Sequence, residues 1–463
     1  MRDSTVGHGE VRAELNLGWR RRTRVRVTDW VICVALAIAS LGLAVWQVPQ
    51  HSTVSPIDEY VYIDYLAKVP TQFVVHRGEE TGSFARHYLT CKGVRTIGIY
   101  PKVMCTHPQP SQDSRLPNAG KTTGDLYTPL YFAATWLMAQ PVELIGIHDI
   151  VEAGRYTGCV WLAAAAILLY LSLRRLKIPW PPSAGAGLLL VGSNIAYWSN
   201  TYISTDASAL FAGALMFYGV TILLSPGRWK ITIVASFAAV VTLLKLQNLM
   251  AVAAAALVLL ILAAWAATGS SMTGSGGAKV RYFLRDRRAR GAAAMIAAGV
   301  VAEGVWVVIR ALIAVGPLPD QGVSEPLSKS ALVREVFKFL PGVSNGAIDP
   351  HSVGPGAVVV ATIGMVVILV GVLGLLASSE RRSLAEAIAG SALVVALLAG
   401  PLLAVANVAV SGFYFNLPNR YGASLFPIFV GCAAMLIAKK SWLSLALPAA
   451  GIASYIAVFT IQG

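Results

Sequence analysis

Read from the amino terminus, the chain alternates long apolar runs with short polar turns. The runs lie at 30–48, 151–173, 183–200, 206–224, 231–245, 248–267, 291–313, 355–376, 384–407, 420–438 and 442–461. About twenty apolar residues in a helix cover the hydrocarbon core of a bilayer, so several of these runs suffice to cross it. The pattern predicts an all-α polytopic membrane protein with about eleven transmembrane helices. The runs at 231–245 and 248–267 meet at Lys245, Gln247 and Asn248, which predicts two short helices with a break between them, a single long tilted helix being the alternative. Such a polar break is tolerated only beside protein or water.

One further run, Tyr127 to Ile147, is long enough to span but is read differently. Counting it as a crossing would move the basic turn Arg174, Arg175 and Lys177 to the outer side. Its Pro141, Thr128, Thr135, Gln140 and Glu143 suit an amphipathic helix lying along the outer interface.

Charge sets the orientation. The chain of 463 residues carries 37 Lys and Arg against 23 Asp and Glu, with 56% hydrophobic residues. Basic residues in short loops collect on the cytoplasmic side of a membrane, and seven arginines precede Trp30. The amino terminus is therefore expected in the cytoplasm, and the plasma membrane is the expected location. The run Trp30 to Val48 has the length of a transmembrane helix and no small-residue cleavage site, so it reads as a retained first helix rather than a signal peptide. With Tyr127 to Ile147 at the interface, the basic turns at 174, 227, 279–290, 380 and 439 all fall inside, and 22 of the 37 basic residues are cytoplasmic. No nucleic-acid partner is needed to account for the charge.

The organisation that follows is a basic amino terminus (1–29), a membrane core (30–265) with an outer loop at 49–126, a cytoplasmic linker (268–290), and carboxyl-terminal helices (291–463) with an outer loop at 314–354. The cytoplasmic loops have no room for a nucleotide-binding domain, and no phosphate-binding glycine motif occurs in a fitting context. Chemistry is therefore expected on the outer face. Cys91 and Cys105 lie in the first outer loop, where an oxidising environment permits a disulfide; two separate thiols are the plainer alternative.

Four charged residues stand at the outer ends of apolar runs: Asp58 in SPIDEY, Asp206 in STDASALF, Lys245, and Arg420 in NRYGASLFP. Ser55 and Pro56 predict a helix start, with Asp58 in the first turn where the helix dipole favours a carboxylate. Glu59 points about 100° away from Asp58 on a helix. Helix-start acids, a snorkelling lysine and an anchoring arginine are the simpler readings of these four. Ionisable groups at membrane depth also mark functional sites, and Arg suits a two-donor grip on phosphate.

The ordered set SPIDEY, a long outer loop, YTPLYF before an interfacial helix, AGRYTG, STDASALF and NRYGASLFP resembles the GT-C glycosyltransferases, polytopic enzymes that take sugars from polyprenyl-phosphate donors. Protein O-mannosyltransferases, aminoarabinose transferases and arabinofuranosyltransferases belong to this group. The resemblance covers about residues 30–265, with an echo at 411–430. Tyr127-Thr128-Pro129 stands where the family usually has His-Pro-Pro or Lys-Pro-Pro. The resemblance implies a GT-C-like fold and an inverting transfer to a glycan, lipid or protein acceptor of the cell envelope. Asp58 would act as general base, Lys245 and Arg420 would hold the donor phosphate, and Asp206 would hold the acceptor, orient a cation or ligate a divalent metal in members that need one. Glu59, Tyr127, Arg155 and Tyr421 would support them. A transporter or flippase of lipid-linked glycans, and a non-catalytic assembly subunit, are the alternatives.

Overall fold

The computed structural model describes residues 27–94, 116–227, 229–269, 276–317 and 325–461. These form eighteen α-helices, numbered here in chain order. The first is α1 (Val27–Gln47), followed in the outer loop by α2 (Glu59–Lys68) and α3 (Ser83–Lys92). Then come α4 (Pro129–Leu144), α5 (Ile150–Tyr156), α6 (Gly158–Arg175), α7 (Trp180–Val191), α8 (Asn194–Asn200), α9 (Ala207–Leu223), α10 (Lys230–Leu244) and α11 (Leu249–Gly269). The remainder are α12 (Gly276–Arg285), α13 (Arg287–Leu312), α14 (Lys329–Lys338), α15 (Pro355–Ser378), α16 (Leu384–Ser411), α17 (Phe426–Ile437) and α18 (Ala446–Val458). Among the described residues β-structure is confined to isolated bridges. The protein is an all-α, multi-pass membrane protein: eight helical segments are long and apolar enough to cross a bilayer, and α9 and α10 are shorter apolar helices.

Hydrogen bonds sort the helix termini into two ends. At one end Arg174, closing α6, bonds Asp29 at the start of α1 (2.9 Å), and Arg175 bonds Thr221 near the end of α9 (3.0 Å). Arg287, opening α13, donates to the Ser225 carbonyl (3.0 Å), and Lys439 after α17 donates to the Ser378 carbonyl that closes α15 (2.8 Å). Every described basic turn with these partners thus gathers at one end, called here the basic end. The opposite end holds the start of α5, the start of α9, the α10–α11 break and the segment before α17.

Local sequence accounts for the irregularities. The expected single run 183–200 is two helices, because α7 stops at Val191 and the Ser193 hydroxyl caps α8 by accepting from Ala196 N–H (3.1 Å). Between α10 and α11, Lys245 is extended (φ −166°, ψ 130°), and the Val241 carbonyl, which accepts from Lys245 N–H (3.3 Å), takes a second bond from Asn248 Nδ2 (2.9 Å). A side-chain amide thus does within the membrane what water does elsewhere. The segment Tyr127 to Ile147 forms α4, capped by Thr128, whose hydroxyl donates to the Leu243 carbonyl at the end of α10. That bond pins α4 beside the α10–α11 break. Within the expected linker 268–290, Gly276–Arg285 forms a helix.

Candidate functional site

The helix after α1 does not begin as expected. Ser55 is not its cap; α2 starts at Glu59, and Asp58 is the capping residue, held in the left-handed region (φ 58°, ψ 0°) without a side-chain cap bond. Few residues other than glycine accept this conformation, and Asp is one of them because its short side chain tolerates it. The turn throws the Asp58 carboxylate away from its own helix and towards Arg420. Arg420 Nη2 donates to Asp58 Oδ2 at 2.6 Å.

Arg420 lies in a 3₁₀ segment, Asn419–Leu425, that runs into α17. This segment sits against α9 because Gly213 has no Cβ, which would stand 2.1 Å from the Ser424 carbonyl oxygen. The close approach brings Arg420 Nε to 3.2 Å from Asp206 Oδ2, just before α9. Asp206 Oδ1 accepts from Lys245 Nζ, which the extended break turns inward instead of letting it snorkel. The result is a chain of alternating charges, Asp58, Arg420, Asp206 and Lys245, drawn from four distant segments. Side-chain exposure grades along it, from 45% at Asp58 through 14% at Arg420 to 3% at Asp206 and 2% at Lys245. Only Asp58 offers its carboxylate broadly to solvent.

Aromatic residues close two sides. The Tyr421 ring lies 5.5 Å from Lys245 Nζ and 5.6 Å from the Arg420 guanidinium carbon, a cation–π arrangement shared by both cations. Tyr62, one helical turn after Asp58, has its hydroxyl 3.0 Å from that of Tyr127 and receives a bond from Thr205 Oγ1 at 3.3 Å. Burial pushes both phenols well above their ordinary pKa, so both remain neutral. On the far side of Arg420 a narrow cleft is lined by Ile57, Trp198, Ser204, Asp206 and Ala347, so the loop before α15 also borders the site.

Glu59 takes no part in the charge chain. It is fully buried and grips Arg155 of α5 through two bonds, Nε to Oε1 at 2.8 Å and Nη2 to Oε2 at 2.9 Å. The same carboxylate accepts from Ser55 N–H (2.7 Å) and Ile203 N–H (3.0 Å). Arg155 also donates to the His51 and Thr53 carbonyls at 2.7 and 2.9 Å. This pair therefore fixes the backbone leading into both Asp58 and Asp206.

A divalent cation does not fit this arrangement. Both carboxylates are already bridged by Arg420, and among the described residues no three His, Cys, Asp or Glu side chains converge. Cys91 lies in α3, and its expected partner Cys105 lies outside the described residues. Asp64 faces away from the site, taking Lys68 at 2.9 Å and Gly82 N–H at 2.7 Å.

Sequence reasoning missed Tyr62 and the ion pair of Asp125 with Arg310 (2.6 Å), which ties the first outer loop to the end of α13. The i, i+4 spacing from Asp58 was the available signal for Tyr62. A scan of the chain against protein-family models finds no match, and a search of curated proteins finds none either.

Proposed function

We propose that this protein is an integral membrane glycosyltransferase of the GT-C kind, moving a sugar from a polyprenyl-phosphate donor to a cell-envelope acceptor. The reading is supported above all by the charge chain, in which one carboxylate remains open to solvent while two cations, Arg420 and Lys245, are held in line behind it. The acceptor hydroxyl attacks C1 of the donor sugar. A C1–O bond to the acceptor forms, the C1–O bond to the lipid phosphate breaks, Asp58 takes the acceptor proton, and the lipid phosphate leaves with the electron pair. A single displacement inverts C1. Lys245 and Arg420 offset the phosphate charge as it develops, from positions fixed before the reaction.

The resting geometry adds a step. Arg420 cannot grip a phosphate fully while it holds Asp58, and the Asp58 oxygen that accepts from Arg420 is not free to take an acceptor proton. A donor phosphate that draws Arg420 away thereby frees Asp58, so the base becomes competent once the donor is seated. Glu59 and Arg155 act as positioning residues, and the Tyr62–Tyr127 pair offers neutral donors to sugar or acceptor oxygens.

The proposed topology has eleven crossings. The eight long segments are joined by α7 with α8, by α9 and by α10 as shorter ones, with the basic end in the cytoplasm of a plasma-membrane protein. The site then faces outward, where nucleotide sugars are absent and a lipid-carried donor is required. Transport of a lipid-linked glycan is the second reading. The helix interruption at Gly192, where Ser454 Oγ meets the Gly192 carbonyl, lies about a turn from the end of α18, towards the site end. Transporters place such breaks near the midplane, and this one lies twelve residues, about 18 Å, beyond Trp180, which is the observation that favours the second reading.

The test is turnover of a polyprenyl-phosphate sugar by purified protein with envelope acceptor. Product with inverted anomeric configuration, lost in Asp58→Asn, is expected. Donor left intact by the wild type, or full transfer by the variant, would overturn the proposal.

A further inference from the structure

The basic end carries a helix that the proposed reaction leaves unused. α12 stands between the end of α11 and the start of α13, touches both, and has no fully buried side chain. Its ten residues, GGAKVRYFLR, separate by helical spacing into two faces. Val280, Phe283 and Leu284 share one face, Arg281 and Arg285 the other, and Lys279 flanks the apolar side. Val280 is 58% and Leu284 62% exposed and Phe283 is half-buried, so among the described residues most of that face is uncovered. Asp286, the nearest acid, is already engaged by Arg288 at 2.8 Å and caps α13.

The depth of α12 is marked independently. Trp30, Trp180, Trp229 and Trp442 are all exposed and all stand at helix starts on the basic end. Trp30 adjoins Asp29, which bonds Arg174; the Arg174 guanidinium also bonds the Ile178 carbonyl two residues before Trp180. Exposed tryptophans collect where headgroups meet acyl chains. α12 joins α13 directly at Arg287, whose guanidinium bonds the Ser225 and Gly227 carbonyls two to four residues before Trp229. The helix thus sits at the level of this tryptophan ring.

We propose that α12 is an interfacial binding site for anionic phospholipid. Its apolar face enters the acyl boundary, and Lys279, Arg281 and Arg285 meet lipid phosphates. An uncovered apolar face at the tryptophan level has acyl chains as its natural cover, and three cations without acidic neighbours on the same helix call for anionic headgroups. This assignment is independent of the reaction proposed above, because it lies at the opposite end of the bundle from Asp58.

The experiment uses the full chain in nanodiscs, with native cysteines replaced and an environment-sensitive fluorophore on Leu284→Cys. Nanodiscs of phosphatidylcholine alone are compared with ones that also contain phosphatidylglycerol. The label should be quenched by nitroxide lipids, and protection from aqueous iodide should rise with the phosphatidylglycerol content and fall with added salt. Each of Lys279→Gln, Arg281→Gln and Arg285→Gln should lower the docked-to-exposed ratio about fivefold in anionic discs, with no change in phosphatidylcholine. A label open to iodide in both compositions overturns membrane docking. Equal lipid quenching in both overturns anionic recognition, and protection from both quenchers would mean that protein covers the face, also overturning the proposal. A second label at Val280→Cys guards against a local effect at position 284.

Discussion

Arg420 holds Asp58 and Asp206 with different nitrogens of one guanidinium, Nη2 at 2.6 Å from Asp58 and Nε at 3.2 Å from Asp206. A single planar group therefore couples the exposed carboxylate to the buried one. Lysine, a point charge, cannot occupy both positions.

Replacing Arg420 should separate binding from stability. The Arg420→Ala protein is expected to lose roughly 10- to 150-fold in affinity for the donor phosphate, corresponding to about 1.5–3 kcal/mol for a charged hydrogen bond. Arg420→Lys should recover only part of this. Titration of the donor lipid into detergent-solubilised protein measures it, and unchanged affinity in both variants removes Arg420 from the phosphate grip.

Lys245 and Asp206 form a buried pair, and breaking it is expected to be costly. Lys245→Met should destabilise the protein, by less than the about 3–5 kcal/mol of an uncompensated buried charge, because Arg420 still pairs with Asp206. The double variant Lys245→Met with Asp206→Leu should regain much of that stability while remaining inactive. Thermal unfolding beside transfer assays checks both halves; a double variant no more stable than Lys245→Met would refute the pairing argument.

Asp58 and Glu59 should behave oppositely although they are neighbours. Asp58→Asn removes an ion pair that is half open to solvent, worth about 0–1 kcal/mol, yet should lower transfer roughly 10²- to 10⁴-fold as a general base. Glu59→Leu removes four bonds from a buried carboxylate and should lower the unfolding temperature sharply. Equal thermal shifts in the two variants would count against the assigned roles.

Gly213 is expected to tolerate no side chain. A valine there must displace the Ser424 carbonyl, and with it the segment carrying Arg420. Transfer and donor binding should both fall in Gly213→Val, whereas a valine at Gly304, which meets nothing within 4 Å, should leave both intact.

The outer loop should loosen in acid. Burial alone would raise the Glu79 carboxyl, but hydrogen bonds from Lys68, the His76 N–H and Gln72 outweigh it and hold the pKa below the ordinary value. A carboxyl with a lowered folded pKa adds stability that is fully present above the unfolded value, about 4.3, and is lost as the pH falls through the folded one. Hydrogen exchange over residues 72–80 should accelerate in that window, and Glu79→Gln should bring the same acceleration forward to neutral pH.

Much of the helix pattern was legible because long apolar runs have few alternatives in a membrane. The charged residues of the candidate site were legible for the same reason: Asp206, Lys245 and Arg420 each mark the end of such a run. Their pairing was not, since nothing in the local sequence around Lys245 points to a carboxylate 39 positions earlier. The left-handed Asp58 was hidden by a good helix-start signal at Ser55-Pro56, which the structure uses as a turn instead. The break at Gly192–Ser193 was read through because apolar content on both sides outweighed one Ser-Asn step. α12 was absorbed into a glycine- and serine-rich linker, although its own residues carry helical spacing.

The order in which the four site residues are made has a consequence for biogenesis. Lys245 follows Asp206 by 39 positions, so the buried acid meets its counter-charge while α9 to α11 are still entering the bilayer. Arg420 is synthesised 175 residues after Lys245, roughly 10–35 s later at ordinary ribosomal speeds. Until then Asp58 has no guanidinium to meet, and the site cannot close. A nascent chain halted before Asn419 would hold Asp206 and Lys245 together but lack Arg420, so the buried pair and the complete charge chain are separated in time by the length of the carboxyl-terminal half.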